Sequence, residues 1–340
     1  MANRGVILIS ALWVVLALSL IAWGLSRRSA MEIFLLEKYQ GKLRSYAAAR
    51  GGISRVMDLM DKSPAKKDTL YSAGIDIPSG KVPQDIFSHM DVGRRAYAMV
   101  QWPAGGLGEQ DGKPRLVYGL QDEQGKININ AINENNYQIL SALFELKGLS
   151  RTQADGMALA MVHFIATGDQ RAGAGWLADG DWRPVLKPKN RPYDHLFELL
   201  EIPGMTGKLF DQIKDDVTVY GESQNGLSVN MDTANDDVVQ ALANAAARLD
   251  PSSGADAIVR QARGVRDGAD GKPFTEDDGT GIFSADARHW PPALRQINSE
   301  FFRARVVGID AGTGARTVIE AVIRRPPGLA KNQIVGWHRD

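Results

Sequence analysis

The segment VILISALWVVLALSLIAWGL occupies residues 6–25, and it decides how the rest of the chain is arranged. Only Ser10, Ser19 and Gly24 interrupt its apolar character, and it contains no charged residue. A helix of this length extends about 30 Å, which matches the hydrocarbon thickness of a bilayer. The segment therefore predicts one membrane-spanning helix near the N-terminus.

Two common kinds of apolar N-terminal segment fit this run poorly. A secretory signal peptide has a shorter apolar core and then a small-residue cleavage site, whereas residues 23–28 read WGLSRR. An ordinary anchor would keep Arg27 and Arg28 in the cytoplasm, because basic residues near a span favour that side and only Arg4 precedes it. An uncleaved signal anchor that tethers a periplasmic binding module or hydrolase remains the alternative interpretation.

The dipeptide Arg4-Gly5 supports a third interpretation. Placed directly before the run, it resembles the leader of type IV prepilins, in which a short charged peptide and a glycine precede a hydrophobic helix. Glycine suits a cleavage site because a residue without a side chain lets a protease approach the backbone closely. The resemblance implies a leader of residues 1–5, cleavage after Gly5 by a prepilin peptidase, and N-methylation of Val6.

The helical pattern continues beyond the apolar run. Apolar residues recur at three- and four-residue spacing as far as Met60, and Pro64 marks the expected end. A helix from Val6 to Lys62 would extend about 85 Å, apolar all round in its first part and amphipathic in its second. A juxtamembrane coiled coil is the alternative, but glycines at 41, 51 and 52 would weaken a free helix.

Composition limits the classes of function. The chain has 340 residues, with 40 basic and 40 acidic residues and no cysteine. Zero net charge means that no general basic field attracts nucleic acid, so we predict no nucleic-acid partner. The absence of cysteine excludes disulfides, thiolate metal sites and cysteine nucleophiles.

The remaining sequence predicts strands on both sides of a helical block. Residues 64–92 predict loop with at most one short strand. Two β-hairpins are predicted, one from residues 96–102 and 115–120 around a Gly-rich turn at 105–108, the other from residues 301–307 and 317–323. Between them, helices are predicted at residues 137–144, 151–166, 196–200, 208–213 and 238–247. This order predicts an α+β fold whose antiparallel sheet is interrupted by an inserted all-α domain.

Several segments resemble the K-type minor pseudopilins of type II secretion. They are DEQGKININ at residues 122–130, LFELLEIPGM at 196–205, LSVNMDTA at 227–234, and the closing strands near 324–326. The fifth residue after the expected cleavage point is Ser10. Most pilins carry glutamate there, and its lack is typical of the K type. The resemblance extends over essentially the whole chain.

This resemblance implies a fold and a role. The fold is pilin-like, with residues 6–27 as the transmembrane part of the helix, residues 28–125 and 250–340 as the pilin-like domain, and residues 126–249 as the insertion. The implied partners are the I-type and J-type minor pseudopilins in a tip complex, together with other type II secretion components. The implied location is the inner membrane, with the C-terminal domain in the periplasm. The function would be assembly, so we predict no enzyme activity.

The resemblance also implies bound calcium, and one segment has suitable chemistry. DGADGKPFTEDDG at residues 267–279 is the richest acidic stretch. Calcium takes about six to eight oxygen ligands, often from carboxylates on a flexible loop. Candidate ligands are Asp267, Asp270, Asp277 and Asp278, although their spacing is not that of an EF-hand. A solvated, turn-rich loop is the alternative.

Two further patterns suggest a binding site but also have a purely structural interpretation. The turn at residues 203–204 between apolar segments resembles a helix-hairpin-helix element that binds nucleic-acid backbone. A tight connection that only packs two helices is the favoured interpretation, because the membrane anchor and the zero net charge both oppose nucleic acid. Trp176 and Trp182, flanked by Asp179, Asp181 and Asp194, would suit a carbohydrate cleft, although packing and solubility are more usual roles for such residues.

Overall fold

The computed structural model describes residues 3–93, 95–110, 113–166, 189–221, 226–252, 254–281, 290–328 and 331–339. Within these ranges the α-helices are α1 Asn3–Lys62, α2 Pro83–Phe87, α3 Gln138–Leu146, α4 Arg151–Ile165, α5 Gly207–Ile213, α6 Asp236–Leu249 and α7 Ala255–Arg266. The strands are β1 Met90–Gly93, β2 Ala96–Gln110, β3 Lys113–Tyr118, β4 Gln121–Asp122, β5 Ile127–Asn128, β6 Val217–Thr218, β7 Val229–Asn230, β8 Leu294–Arg295, β9 Phe301–Asp310, β10 Arg316–Arg324 and β11 Gln333–Arg339. Short 3-10 helices cover Glu123–Gly125, Ile129–Ala131 and Leu196–Glu201.

Helix α1 is continuous from Asn3 to Lys62, as its sequence pattern predicts. Its 60 residues extend about 90 Å at 1.5 Å per residue. The helix ends just before Pro64, which forms a β-bridge with Ile75. Residues 7–40 are exposed, and Gly41 is the first buried position among the described side chains. The helix therefore leaves the folded body at about Gly41.

The last third of α1 packs on a seven-stranded antiparallel sheet. The strand order is β1-β2-β9-β10-β11, with β3 paired to β2 and β4 paired to β9. Along β9 the side chains alternate, so that Phe302, Ala304 and Val306 are buried. They share a hydrophobic core with Ile53 and Val56 of α1. The predicted α+β fold, a long N-terminal helix on an antiparallel sheet with additional helices, is thereby confirmed.

Two glycines of α1 allow the helix to lie close to the sheet. A Cβ atom at Gly51 would lie 2.0 Å from Val92 Cγ1, and one at Gly52 would lie 2.7 Å from both Ala98 Cβ and Val306 Cγ1. Any side chain at these positions would therefore push the helix away. From the sequence alone, glycine at these positions only lowers the stability of the helix. The close contact with the sheet explains why glycine is there.

Both predicted hairpins are present, but the turn of the first lies elsewhere. β9 pairs with β10 around residues 311–315, as predicted. β2 pairs with β3 but continues through residues 105–108 to Gln110, so the turn predicted at those glycines is wrong. A register shift between Ala104 and Glu109 accommodates the extra residues within the strand. Residues 64–92, predicted as loop with at most one short strand, contain α2 as well as the start of β1.

The helical insertion leaves the sheet after β4 and returns at β9. Its helices surround one core, in which α3 contributes Leu140 and Phe144. Helix α7 joins the same core through Ile258, Ala262 and Val265. The insertion thus continues beyond residue 249, where the sequence analysis places its end. The segment predicted as a helix at 196–200 is a 3-10 helix.

Two parallel strand pairs divide the insertion into similar halves. β5 pairs with β6 in the first half, and β7 pairs with β8 in the second. In each half an asparagine side chain accepts a hydrogen bond from the backbone two residues on, Asn128 from Asn130 at 3.0 Å and Asn230 from Asp232 at 3.2 Å. Each half therefore begins with the same Asx turn, which sets the direction of the chain into the following helix.

Candidate functional site

The exposed part of α1 is the first candidate functional surface. In the described ranges, α1 is the one helix long and apolar enough to cross a membrane, and none of its apolar window is buried inside the protein. Large apolar side chains remain exposed beyond that window, among them Phe34, Leu36 and Tyr39. An exposed apolar stretch of this length indicates a surface that lipid or other chains cover.

The predicted processing residues lie in the first turns of this helix. Gly5 and Val6 are both helical. Ser10 is the fifth residue after the predicted cleavage point, and its Oγ donates to the carbonyl of Ile7 at 3.0 Å. This hydrogen bond turns the serine hydroxyl back onto its own helix. Cleavage after Gly5 and methylation of Val6 stay predictions.

The point where α1 meets the folded body is defined by close contacts. A Cβ atom at Gly41 would lie 2.0 Å from Thr313 Oγ1, in the turn between β9 and β10. One turn further, the hydroxyls of Ser45 and Thr317 lie 2.7 Å apart in a buried hydrogen bond. These contacts fix the direction in which the exposed part of α1 projects.

A buried carboxylate, Asp122, joins the insertion to the sheet. Its Oδ2 accepts hydrogen bonds from Asn230 at 2.9 Å, Thr233 at 2.6 Å and Ser299 at 2.6 Å. Asn230 and Thr233 belong to the insertion, whereas Asp122 lies in β4 of the sheet. Burial and the nearby carboxylate of Asp68 raise the pKa of Asp122 to about 6.

The next residue, Glu123, forms a second buried junction. Its Oε1 accepts from Lys126 at 2.8 Å and from Arg303 at 2.7 Å, and its Oε2 accepts from Thr218 at 2.5 Å. Burial alone would raise the pKa of Glu123, but Arg303 and Lys126 lower it to about 2. Arg303 lies in β9 and Thr218 in β6, so this carboxylate also joins sheet and insertion. The sequence DEQGKININ at residues 122–130 carries the family resemblance but gives no local sign of either junction.

The acidic loop does not bring its four predicted ligands together. Asp267 pairs with Arg266 at 2.6 Å, and Asp277 Oδ2 accepts from the backbone of Ala269 at 2.7 Å and Asp270 at 3.0 Å. Asp270 in turn accepts from the backbone of Lys272 at 2.8 Å. Within the described ranges no three acidic or histidine side chains are grouped as a metal site. Calcium and its ligand set stay predictions.

Asp278 differs from the other three carboxylates. It is 4% exposed, and its Oδ2 accepts from the backbone of Phe274 at 2.9 Å. Its buried Oδ1 has no hydrogen-bond partner in the described part of the chain. Burial and the carboxylate of Asp267 raise its pKa to about 7. A buried carboxylate oxygen without a donor fits a calcium ligand, because a hard cation would supply the missing partner.

Phe274 fastens this loop to the sheet. It has a positive φ of 68°, which is unusual for a bulky residue and must be held by its surroundings. The ring lies 6.0 Å from that of Trp102 in an edge-on arrangement, and the guanidinium of Arg115 lies 5.6 Å from its centre. The loop thus reaches from α7 to the β2–β3 hairpin.

The other candidate sites receive no support. Residues 203–204 connect the 3-10 helix to α5, and the flanking Leu199, Ile202 and Leu209 are buried, as a packed connection requires. Trp176, Trp182, Asp179 and Asp181 lie outside the described residues.

The first half of the insertion is similar to a known family. Residues 125–222 match the family model described as Type II secretion system (T2SS), protein K. The matched residues begin in the 3-10 helix after Glu123 and end just beyond β6, so they cover the first half of the insertion.

The whole fold of this chain is similar to a solved structure. A chain in the crystal structure of the GspK-GspI-GspJ complex from enterotoxigenic Escherichia coli aligns over 91% of this chain and 99% of its own length. The TM-score is 0.55 and the sequences are 16% identical, so this similarity establishes the fold. A sequence search against curated proteins finds no match.

Proposed function

We propose that the chain is a minor pseudopilin at the tip of the periplasmic pseudopilus, where it supports export of folded proteins across the outer membrane. The observation that carries this proposal is the division of α1 at Gly41. Before Gly41 the helix is exposed and largely apolar, and after it the helix packs on the sheet. Such a helix can be surrounded first by lipid and then by the helices of other subunits, because both surroundings are apolar.

Two features favour a position at the tip. Ser10 provides no carboxylate to pair with the terminal amine of a neighbouring subunit. The chain therefore lacks an ion pair that would stabilise a position beneath another subunit. The insertion adds a second folded body to the pilin-like domain. A body of this size is too bulky for the shaft of a filament and would cap its growth. The mechanism is association, and no catalytic step is assigned.

The proposed partners are I-type and J-type minor pseudopilins. The complex named above contains GspI and GspJ beside GspK. Before assembly, the apolar part of α1 lies in the inner membrane with the folded domain in the periplasm. Prepilin peptidase then removes residues 1–5.

We also propose calcium as a structural ion of the acidic loop. Asp278 supports this, because one of its buried oxygens lacks a donor among the described residues. A bound cation would supply positive charge beside Asp278 and the neighbouring Asp267. Two contacts of the chain hold the loop in place. Phe274 packs on the β2–β3 hairpin. Lys67 pairs with Asp232 at 3.1 Å and donates a hydrogen bond to the carbonyl of Gly279.

The mature N-terminus tests the pseudopilin assignment. Mass spectrometry of the chain from cells with a type II secretion system should show N-methylated Val6 as the first residue. Gly5→Leu should leave residues 1–5 attached, since a large side chain blocks the protease's approach to the backbone. Gly24→Leu is the matched control, because a Cβ there meets nothing within 4 Å, and it should be processed normally. A retained Met1 in the unmodified chain would instead favour a tethered binding module or hydrolase.

Co-purification tests the partners. Leu36→Asp places a charge on the exposed part of α1 and should reduce recovery of the I-type and J-type pseudopilins with this chain. Leu249→Asp makes the same change at another exposed leucine, at the end of α6, and should leave recovery unchanged. Equal recovery with both variants would contradict assembly through α1.

A further inference from the structure

Two arginines at the end of the membrane span have no role in the assembly described so far. Arg27 and Arg28 are the first charged residues after Arg4. Both stand on the side of the span that carries the folded domain. Basic residues normally favour the cytoplasmic side, so their presence here works against export and calls for a compensating interaction.

Among the described residues, no acidic side chain pairs with Arg27. Its guanidinium lies 5.0 Å from the ring centre of Trp23, one turn earlier on the same face of α1. No acidic residue lies within four positions of it in the sequence, and it forms no salt bridge in the described part of the chain. Arg28 forms an ion pair with Glu32 at 3.2 Å, but its side chain is still 79% exposed.

The folded body does not reach these arginines. Arg27 is 14 residues before Gly41, which corresponds to about 21 Å of helix. Trp23 is 61% exposed at the end of the apolar run, where tryptophan commonly lies at the level of lipid headgroups. Arg27 and Arg28 therefore face the headgroup layer.

We propose that Arg27 and Arg28 bind the phosphate groups of anionic phospholipids at the membrane surface from which the folded domain projects. This rests on the membrane span of the proposed function. Guanidinium groups bind phosphate through paired, charge-assisted hydrogen bonds. The stacked ring of Trp23 holds Arg27 along the helix. Each basic side chain near an anionic membrane surface raises the binding constant for that surface by about fivefold.

The test uses the full chain in nanodiscs made from equal amounts of phosphatidylcholine and phosphatidylglycerol. After mild detergent release, native mass spectrometry counts the lipids that stay bound. The unmodified chain should retain phosphatidylglycerol preferentially. R27Q should lower the ratio of phosphatidylglycerol to phosphatidylcholine by about fivefold and R27Q/R28Q further. E32Q should raise it, because it releases Arg28.

K208Q/R260Q is the matched control. It removes two exposed positive charges from α5 and α7, far along the chain from the span, and should leave the lipid ratio unchanged. The proposal is overturned if R27Q/R28Q retains the original ratio, or if the control lowers it equally. A chain that incorporates into nanodiscs without lipid preference refutes the arginine site alone. A chain that stays soluble without detergent and does not incorporate refutes the membrane span as well.

Discussion

Gly308 lies in β9 where α1 crosses the sheet, and Gly308→Ala should destabilise the folded chain markedly. The added Cβ would lie 2.0 Å from the backbone oxygen of Ser45 and 2.4 Å from the backbone nitrogen of Ala49. Both atoms belong to the backbone of α1, so no side-chain rotation relieves the overlap. Restoring ordinary contact requires the helix to move away from the sheet by more than about 1 Å, and a gap of that size forfeits up to about half of the dispersion energy across it.

The expected loss in the free energy of unfolding is about 3 kcal/mol, the upper part of the usual range for overpacked cores. For a folded body of about 300 residues that corresponds to a melting temperature lowered by roughly 5 °C. Circular dichroism melting of the full chain in detergent measures the shift. Gly264→Ala is the control, because that glycine is exposed in α7 and an added Cβ meets nothing within 4 Å. It should raise stability by up to about 1 kcal/mol. An unchanged melting temperature for Gly308→Ala would refute the argument that backbone contact sets the spacing of helix and sheet.

Three other predictions concern buried carboxylates. E123A leaves Lys126 and Arg303 without their shared anion and should cost about 3–5 kcal/mol in urea unfolding at neutral pH. In the unmodified chain this contribution should be complete above the unfolded pKa of 4.5 and be lost as pH falls toward 2. For Asp122 the pH dependence of stability has the opposite sign, because its folded pKa of about 6 exceeds the unfolded pKa of 3.8. Its contribution to the free energy of unfolding should disappear as pH rises through 6. D122N should therefore flatten the pH dependence of unfolding between pH 3.8 and pH 6. A chelator should lower the melting temperature of the unmodified chain but not of D278N, and equal shifts in both would argue against calcium at Asp278.

The sequence predicts the long helix and the second hairpin well because each has a strong local signal. An unbroken apolar run followed by three- and four-residue spacing strongly favours a continuous helix, and Pro64 marks its end. The β9–β10 hairpin combines alternating apolar residues with a Gly-rich turn at residues 311–315. In both cases neighbours in sequence are also neighbours in space.

Where the structure differs, the deciding contacts are distant in sequence. The glycines at 105–108 suggest a turn, but pairing with β3 carries β2 through them. Helix α7 has apolar residues at helical spacing and could have been identified from Ile258, Ala262 and Val265. β11 is short and mostly exposed, so its sequence offers little beyond its pairing with β10.

The candidate site shows the same limit. The four aspartates of residues 267–279 form an acidic cluster in sequence, yet hydrogen bonds within the loop and an ion pair with Arg266 occupy three of them. The sequence cannot show which carboxylate keeps an oxygen without a donor, because that depends on how Phe274 is held by the β2–β3 hairpin.

The junction at Asp122 has a consequence for the order of folding. The hydroxyl of Ser299 reaches Asp122 across 177 positions of sequence, and β2 finds its neighbour β9 only after the whole insertion has been passed. Contacts within the insertion are far more local, so we expect it to become compact first and to bring the two ends of the sheet together. Until then β2 has an open edge, which is a hazard for aggregation during folding. We therefore expect that early folding of the insertion helps β2 to pair with β9, and that the rate at which the insertion folds determines how long the edge of β2 stays exposed.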